Sequence, residues 1–245
     1  MSLLPVYSRP PLTLVRGKGC AVWDREGRRY LDFLTGIGVN ALGHAHPRIV
    51  RAITAQAPLL LHASNLFHHE YQAPLADRLL RAAGGLHEFA FFSNSGAEAM
   101  EAALKAAKAR GRHGLVALKQ GFHGRTIGAL SITANPKYRA PFEPLLPEVT
   151  FVEPDDIEAL RAAVNAQTAA IIAEPIQGEG GVYPLAEPFL REIQRLAHTH
   201  DALFIADETQ CGLGRTGHWF AYQRHAGLAP DIVVTAKPLA AGLPL

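Results

Sequence analysis

Short apolar segments alternate with helical stretches along most of the chain, from about residue 88 onward. The helical stretches cover residues 97–110, 155–165 and 187–200. Strand candidates lie before, between and after them, at residues 88–92, 115–118, 149–152, 169–173, 202–206 and 232–235. Because alternating strands and helices require crossover connections, this pattern predicts an α/β fold with a mostly parallel sheet and helices on both faces.

The first part of the chain has a different pattern. Two strand-like pieces, 20–24 and 29–33, flank a turn that contains Gly27, which predicts a hairpin. One helix is predicted over residues 47–61, with Pro47 in its first turn. A second begins near residue 71 and stops at two successive glycines. We therefore expect a small N-terminal segment, residues 1–65, followed by a large domain, residues 66–245.

Composition excludes several classes of protein. Of the 245 residues, 48% are hydrophobic and 19% charged, which excludes intrinsic disorder. The 24 basic and 22 acidic residues give a net charge of +2, which argues against a nucleic-acid binder. The most apolar window, 53–67, is too short and too polar to span a membrane. Two distant cysteines and the lack of a secretory signal favour a reducing cytoplasm.

Ligands of open parallel sheets bind at the carboxyl ends of the strands, so the loops after residues 92, 118, 173, 206 and 235 are the informative ones. In the first loop, Ser95, Gly96 and Ala97 open a helix, and exposed backbone N–H groups there suit a phosphate. The alternative is a capping box between Ser95 and Glu98. Both interpretations stay open at this point.

The second and third loops offer groups for a planar, charged ligand. Phe122 lies between glycines and can lie flat against a ring, while Arg125 can bind a carboxylate. The alternative is a surface turn. Glu174 and Glu179 lie in a glycine-rich loop, where they either perform acid–base chemistry or pair with arginines.

The last two loops each place one ionisable group at the end of a buried strand. Burying the carboxylate of Asp207 costs free energy, so this group requires a cationic partner, a metal or a protonated ligand atom. Lys237 is either a surface lysine with a buried stem or a buried amine with a lowered pKa. An amine of the second kind is a nucleophile that forms Schiff bases.

Two further patterns point elsewhere. Gly212, Gly214 and Gly217 match the GxGxxG fingerprint of dinucleotide-binding enzymes, which makes an NAD-dependent oxidoreductase an alternative of a different class. The next acidic residue, Asp231, comes earlier than that fingerprint requires. Five histidines crowd one region without the spacing of metal ligands: His44, His46, His62, His68 and His69. For His44 and His46, which precede a helix, we predict capping or local hydrogen bonds rather than a metal site.

Taken together and in order, the loop motifs resemble those of class III, pyridoxal-phosphate-dependent aminotransferases. The matching stretches are 93–108, 121–126, 174–182, 207–217 and 230–237. Residues 36–47 and 62–67 further resemble the acetylornithine branch of that family. The resemblance covers essentially the whole chain and implies the large domain of a fold-type I transferase.

The resemblance also implies a role for each loop residue. The implied catalytic residues are Lys237, which bonds to the cofactor, and Asp207, which pairs with the pyridine nitrogen. The cofactor phosphate is implied to bind at Ser95, Gly96 and Ala97, the two faces of its ring to contact Phe122 and Thr209, and its phenolic oxygen to contact Gln210. The implied substrate-binding residues are Arg125 and Glu179.

The implied reaction moves an amino group from N2-acetylornithine to 2-oxoglutarate in arginine biosynthesis, in a homodimer. Ornithine, 4-aminobutyrate and succinylornithine are alternative donors. Two positions depart from the family pattern, since Ala97 replaces a common Thr and Thr209 a common Val or Ile. Family members also continue well beyond the lysine into a C-terminal domain, so we expect an N-terminal portion that is inactive alone.

Overall fold

The computed structural model describes residues 3–245 and divides the chain into two compact units, one ending at Phe67 and one running from His68 to Leu245. The first unit contains a three-stranded antiparallel sheet of β1 (Leu14–Lys18), β2 (Ala21–Asp24) and β3 (Arg29–Leu31). The predicted hairpin of β2 and β3 is confirmed. Strand β1 was not predicted.

Two helical elements follow in the first unit. The turn α1 (Thr35–Gly38) is left-handed, because all four of its residues have positive φ. The helix α2 (Pro47–Gln56) is shorter than the predicted 47–61. Pro58 has no N–H group, so it cannot donate to the carbonyl four residues earlier, and the helix stops before it.

The second unit contains a five-stranded parallel sheet. Its strands are β4 (Gly114–Leu118), β5 (Val149–Val152), β6 (Thr168–Ala173), β9 (Leu203–Asp207) and β10 (Ile232–Val234), in the order β10-β9-β6-β4-β5. Two short strands, β7 (Ile176–Gln177) and β8 (Tyr183–Pro184), pair with each other outside this sheet. The predicted α/β fold with a parallel sheet is therefore confirmed.

Helices cover the sheet on both faces. Those of the second unit are α3 (Gln72–Ala82), α4 (Gly96–Lys108), α5 (Ile127–Ser131), α6 (Pro136–Arg139), α7 (Ile157–Ala163) and α8 (Glu187–Thr199). Successive strand residues point to opposite faces. Ile171 packs in the core beneath α7 and α8, whereas its neighbour Ile172 packs in the core beneath α4 and α5. Two separate apolar cores thus lie on the two faces of the sheet, between it and its helices.

The predicted strand at residues 88–92 is wrong for this structure. The segment is extended but joins no sheet, and Phe89 and Phe91 are 86% and 74% exposed. It lines an apolar cavity of about 540 Å³ together with Val233 and Val234 of β10. A strand exists only through pairing with a neighbour, and among the described residues no strand pairs with the outer edge of β10.

Within residues 3–245, no helix is both long enough and apolar enough to cross a bilayer.

Candidate active site

The strand order creates a crevice between β4 and β6. The chain continues from β4 to β5, which pairs with one side of β4. Strand β6 pairs with the other side of β4, and the chain then continues to β9, farther from β4. The loops after β4 and β6 therefore diverge, which is the position where open α/β sheets bind ligands. Phe122 follows β4 and Glu174 follows β6, and the Phe122 N–H donates to the Glu174 carboxylate at 2.9 Å across this crevice.

Asp207, the last residue of β9, is buried and pairs with a histidine. Its Oδ2 lies 2.8 Å from Nδ1 of His123, and its Oδ1 accepts the Thr209 N–H at 3.0 Å. Burial by itself would lower the pKa of His123, but the hydrogen bond to Asp207 and the charges of Asp207 and Glu174 raise it. His123 is therefore a partner of the buried Asp207 carboxylate, and its raised pKa favours the imidazolium form, which fits one of the three kinds of partner predicted for Asp207.

Glu174 is a second buried carboxyl group in the crevice. It accepts hydrogen bonds from the N–H groups of Phe122 (2.9 Å) and Gly178 (3.2 Å), and so joins two loops. Burial raises its pKa to about 7, with the charge of His123 opposing and that of Asp207 reinforcing the shift. The interpretation that it pairs with an arginine is not what the structure shows, because its oxygens face backbone amides.

Lys237 follows β10 by three residues and is partly buried. Burial lowers the pKa of its amine, while the carboxylates of Asp207, Glu179 and Glu174 act in the opposite direction. Of the two sequence interpretations, the structure favours the buried amine over a surface lysine. The amine and these carboxylates come from the carboxyl ends of three strands, β6, β9 and β10, which the parallel sheet brings to one edge.

The start of α4 lies against the loop after β9. Ser95 caps the helix, because its Oγ accepts the Glu98 N–H at 3.2 Å. The Glu98 carboxylate accepts from the N–H and side-chain amide of Asn94. A Cβ added at Gly96 would lie 2.8 Å from Cγ2 of Thr209, so only glycine fits this contact. Ser95 thus caps α4, but the Glu98 carboxylate bonds to Asn94 and not to the Ser95 N–H, so the predicted capping box is only half formed. Ala97 lies in the same first turn.

Phe122, Arg125 and Gln210 occupy the rim of the crevice. The Arg125 guanidinium lies 5.1 Å from the centre of the Phe122 ring, and Tyr138 contacts the same ring edge-on. On the other side, a Cβ added at Gly178 would fall 1.4 Å from Oε1 of Gln210, so glycine here makes room for that amide. Glu179 is exposed in the next position.

The dinucleotide-binding alternative fits this structure poorly. The loop of Gly212, Gly214 and Gly217 forms successive turns and opens no helix, whereas a dinucleotide site needs a helix N-terminus at those glycines. His44 bonds to Asp32 at 2.7 Å, as local hydrogen bonding predicts. Among residues 3–245, no cluster of three or more His, Cys, Asp or Glu side chains has the geometry to hold a metal.

Sequence reasoning missed the role of His123. It lies inside the 121–126 loop, where the ligand chemistry of its neighbours Phe122 and Arg125 is easier to recognise from the sequence. The signal available was that a buried Asp207 required a partner, and that His123 lies in a loop at the same edge of the sheet.

Comparison with known proteins shows the family. The model of the family "Aminotransferase class-III" matches residues 5–245. The chain belongs to the class III aminotransferases. It is 49% identical to the acetylornithine aminotransferase of Streptomyces coelicolor over 100% of this chain and 60% of that protein. This class III chain therefore spans about 60% of the length of the curated relatives it matches.

Solved structures show the same fold with several substrates. The ornithine aminotransferase of Toxoplasma gondii matches with a TM-score of 0.92 and 32% identity, over 99% of this chain and 59% of that one. The taurine:2-oxoglutarate aminotransferase of Bifidobacterium kashiwanohense, solved with pyridoxal phosphate and glutamate, matches with a TM-score of 0.93 and 26% identity, over 99% and 60%. Pyridoxal phosphate is the cofactor of this class III fold.

The residues of this class III chain fit that cofactor. A buried carboxylate, Asp207, suits a protonated ring nitrogen, and the partly buried Lys237 amine suits a covalent bond to an aldehyde. Gly96 begins α4, and the backbone N–H groups of a helix N-terminus suit a phosphate.

Proposed function

We propose that this chain is the cofactor-binding part of an aminotransferase that moves an amino group from N2-acetylornithine to 2-oxoglutarate with pyridoxal phosphate, in arginine biosynthesis. The observation that carries the proposal is that the partly buried Lys237 lies three residues beyond Val234, the residue of β10 that pairs with Asp207 of β9, and that burial lowers the pKa of its amine. The choice of donor rests on the 49% identity to the Streptomyces coelicolor acetylornithine aminotransferase.

Lys237 is the proposed nucleophile and proton carrier. Because burial disfavours the ammonium form, more of its amine is neutral at a given pH than in an exposed lysine. A neutral Lys237 amine would hold the cofactor through its aldehyde group, with loss of water, and when free it would accept a proton from the substrate carbon. The neighbouring carboxylates stabilise the ammonium form that results.

Asp207 is the proposed partner of the cofactor ring. When bound, the cofactor supplies an electron-withdrawing ring that stabilises negative charge at the substrate carbon. Asp207 keeps a proton on the ring nitrogen, because a carboxylate in a buried site strongly favours a nearby positive charge. The hydrogen bonds from Thr209 and His123 hold the carboxylate in one orientation.

The other cofactor contacts are assigned from the positions of the residues in the loops around Asp207 and Lys237. We assign the phosphate to the first turn of α4, at Ser95, Gly96 and Ala97, and the two ring faces to Phe122 and Thr209. Gln210 is assigned to the phenolic oxygen. Support comes from the contact of Thr209 with Gly96, since it joins the proposed ring site to the proposed phosphate site.

Arg125 and Glu179 are the proposed substrate contacts. Arg125 lies at the exposed end of the Phe122 loop, where its guanidinium can form two parallel hydrogen bonds with a substrate carboxylate. Glu179 lies close enough to Lys237 to act on the pKa of its amine. The negative charge of Glu179 therefore acts at Lys237, where we propose that the amino group is exchanged.

Cofactor attachment is tested on the purified chain. Pyridoxal phosphate is added, the visible absorbance of the bound cofactor is recorded, and borohydride reduction followed by peptide mass mapping locates the adduct. We expect the adduct on Lys237 and its loss in Lys237→Ala. Lys119→Ala is the matched control, because Lys119 is exposed and pairs with Glu153. An adduct that persists in Lys237→Ala contradicts the proposal.

Donor choice is tested separately on the cofactor-loaded full-length protein, because this portion is expected to be inactive alone. The change in cofactor absorbance is followed after addition of N2-acetylornithine, ornithine, 4-aminobutyrate or succinylornithine. We expect the fastest change with N2-acetylornithine. A faster change with one of the other donors replaces the substrate assignment and leaves the aminotransferase assignment standing.

We also propose that the protein assembles as a homodimer. Support comes from exposed apolar side chains at the end of the first unit, where Leu61, Leu66 and Phe67 are 82%, 87% and 69% exposed. Apolar residues concentrated in one exposed segment indicate an interaction surface. Sedimentation at several protein concentrations tests this, and a monomer at all of them contradicts it.

A further inference from the structure

The short helix α5 begins with a cap that comes from another helix. The first N–H groups of a helix have no partner within it, and the side chain of the N-cap residue usually accepts one of them. The N-cap residue of α5 is Thr126, whose side chain forms no such bond. Instead, Oε1 of Glu101 accepts the N–H groups of Gly128 at 2.9 Å and Ala129 at 3.2 Å. Glu101 belongs to α4, so its carboxylate ties the start of α5 to that helix.

The residue at the second position of α5 is suited to this contact. A Cβ added at Gly128 would overlap Oε2 of Glu101, so a larger residue would displace the carboxylate. Gly128 is buried and Glu101 is partly buried, which limits the access of water to these N–H groups. A buried N–H group without an acceptor costs free energy. The Glu101 carboxylate thus stabilises the start of α5 in one position.

The loop before α5, which carries Arg125, is held at further points. The N–H of His123 donates to Oγ1 of Thr133, just beyond the end of α5, at 3.0 Å. Gly124 passes close to α4, because a Cβ added there would lie 2.9 Å from the Cβ of Ala97. Arg125 lies between these contacts and the start of α5. The contacts on both sides therefore fix its backbone.

The side chain of Arg125 is exposed, so its position depends on its backbone and on a few neighbours. Its guanidinium lies 5.1 Å from the ring centre of Phe122 and 5.5 Å from that of Tyr138, a range at which aromatic rings attract cations. Two parallel hydrogen bonds to a carboxylate require the guanidinium in a defined place. A small displacement of the backbone would therefore weaken the binding of a carboxylate.

We propose that Glu101 is a positioning residue for substrate binding, which caps α5 from α4 and so fixes the backbone from which Arg125 binds the substrate carboxylate. Glu101 acts through Arg125 and touches neither substrate nor cofactor. This role rests on the proposed function, because the contact of Arg125 with substrate is assigned there. It adds a residue that controls the affinity for substrate rather than the chemistry at Lys237.

Amide hydrogen exchange tests the cap directly, in the purified chain without cofactor or substrate. In the natural sequence, we expect slow exchange at Gly128 and Ala129. Glu101→Ala should accelerate it about tenfold, the effect of one lost hydrogen bond. Glu101→Gln keeps a carbonyl oxygen that can accept both N–H groups, so protection should persist. Rapid exchange in the natural sequence overturns the proposal, and this measurement requires no variant to fold.

Steady-state kinetics of the cofactor-loaded full-length protein test the effect on substrate. We expect Glu101→Ala to raise KM for carboxylate substrates about tenfold and to change kcat by less than about twofold, since a displaced Arg125 weakens binding without altering the reacting groups. Glu101→Gln should retain a KM close to that of the natural sequence. Asp156→Ala is the matched control, because Asp156 caps a different helix, α7, through the Ala159 N–H. An equal rise of KM in Asp156→Ala shows general destabilisation and overturns the proposal.

A double variant shows whether Glu101 acts through Arg125. Arg125→Ala should raise KM by itself, and adding Glu101→Ala should raise it further by less than about twofold, because residues that act through one contact are not additive. Full additivity overturns the proposal. If Arg125→Ala raises KM and Glu101→Ala does not, the role of Glu101 alone is rejected. If Arg125→Ala leaves KM unchanged, the assignment of Arg125 to substrate fails, and the role of Glu101 fails with it.

Discussion

At the scale of single residues, the crevice is controlled by ionisable groups that the fold removes from water. Glu174 is 5% exposed, and its carboxyl group accepts two backbone N–H groups. Its sequence neighbours predict an ordinary loop glutamate. Burial is a property of the assembled sheet, and it changes the pKa of this group more than local sequence does.

Glu174→Gln should flatten the pH dependence of stability. The fold raises the pKa of Glu174 from 4.5 to about 7, so between these values the folded chain holds a proton that the unfolded chain releases. The stability contributed by Glu174 is thus fully present below about pH 4.5 and is lost as the pH rises to 7. The shift corresponds to at most about 3 kcal/mol.

Urea unfolding at pH 5, 6, 7 and 8 measures this slope. Glu153→Gln is the control, because Glu153 is exposed and pairs with Lys119. Absolute stability also falls in Glu174→Gln, since an amide cannot accept both backbone N–H groups through two oxygens. The slope is therefore the decisive quantity, and an unchanged slope between pH 5 and 7 contradicts the prediction.

At the scale of elements, the site depends on how closely the first turn of α4 approaches its neighbours. Gly96 begins this helix, and an added Cβ would lie 2.8 Å from Thr209 Cγ2 and 3.3 Å from Ala236 Cβ. Thr209 follows β9, and Ala236 precedes the lysine after β10. One small residue thus sets the distance between a helix and the loops of two strands.

Gly96→Ala should destabilise the second unit by about 1 to 3 kcal/mol, the usual cost of forcing a methyl group into a packed contact. It should also weaken cofactor binding, because Thr209 must move. Urea unfolding and cofactor absorbance measure the two effects. Adding Thr209→Ser removes the clashing methyl group, and we expect the double variant to recover part of both losses.

Gly111→Ala is the comparison for this prediction. Gly111 has a φ of +83°, and a Cβ there meets nothing within 4 Å, so its cost comes from the backbone alone. It should leave cofactor binding unchanged. Equal loss of cofactor binding in Gly96→Ala and Gly111→Ala would show that general destabilisation, rather than the Thr209 contact, is responsible.

At the scale of the whole molecule, the two units differ in how much apolar surface they bury. In the first unit, Ala21 and Val22 are the buried apolar residues among those described, whereas the second unit contains two extensive apolar cores. Buried apolar area is the main source of folding free energy. The second unit is therefore the stable part of this chain.

Limited digestion with chymotrypsin should reflect this difference. Leu61, Leu66 and Phe67 are exposed at the end of the first unit. We expect the earliest cuts within residues 59–67 and a persistent product that begins at or near His68, identified by mass spectrometry. Early cuts within the β4–β10 sheet would contradict the assignment of stability to the second unit.

The sequence by itself determined the order of elements and most loop chemistry. Five of six predicted strands of the large domain form, because continuous short apolar runs have no other stable place than a buried sheet. Lys237, Asp207 and Phe122 could be singled out because each follows such a strand. The strand at 88–92 could not be settled this way, since a strand depends on the neighbour it pairs with.

Only the tertiary structure decided which groups meet. His123 and Asp207 are 84 residues apart and bond at 2.8 Å, and Glu174 joins two loops through backbone amides that no motif specifies. Gln177 and Gly121 are brought together in the same way. The physical reason is that proximity and burial arise from packing between distant segments, and these two quantities set the charges on which the chemistry depends.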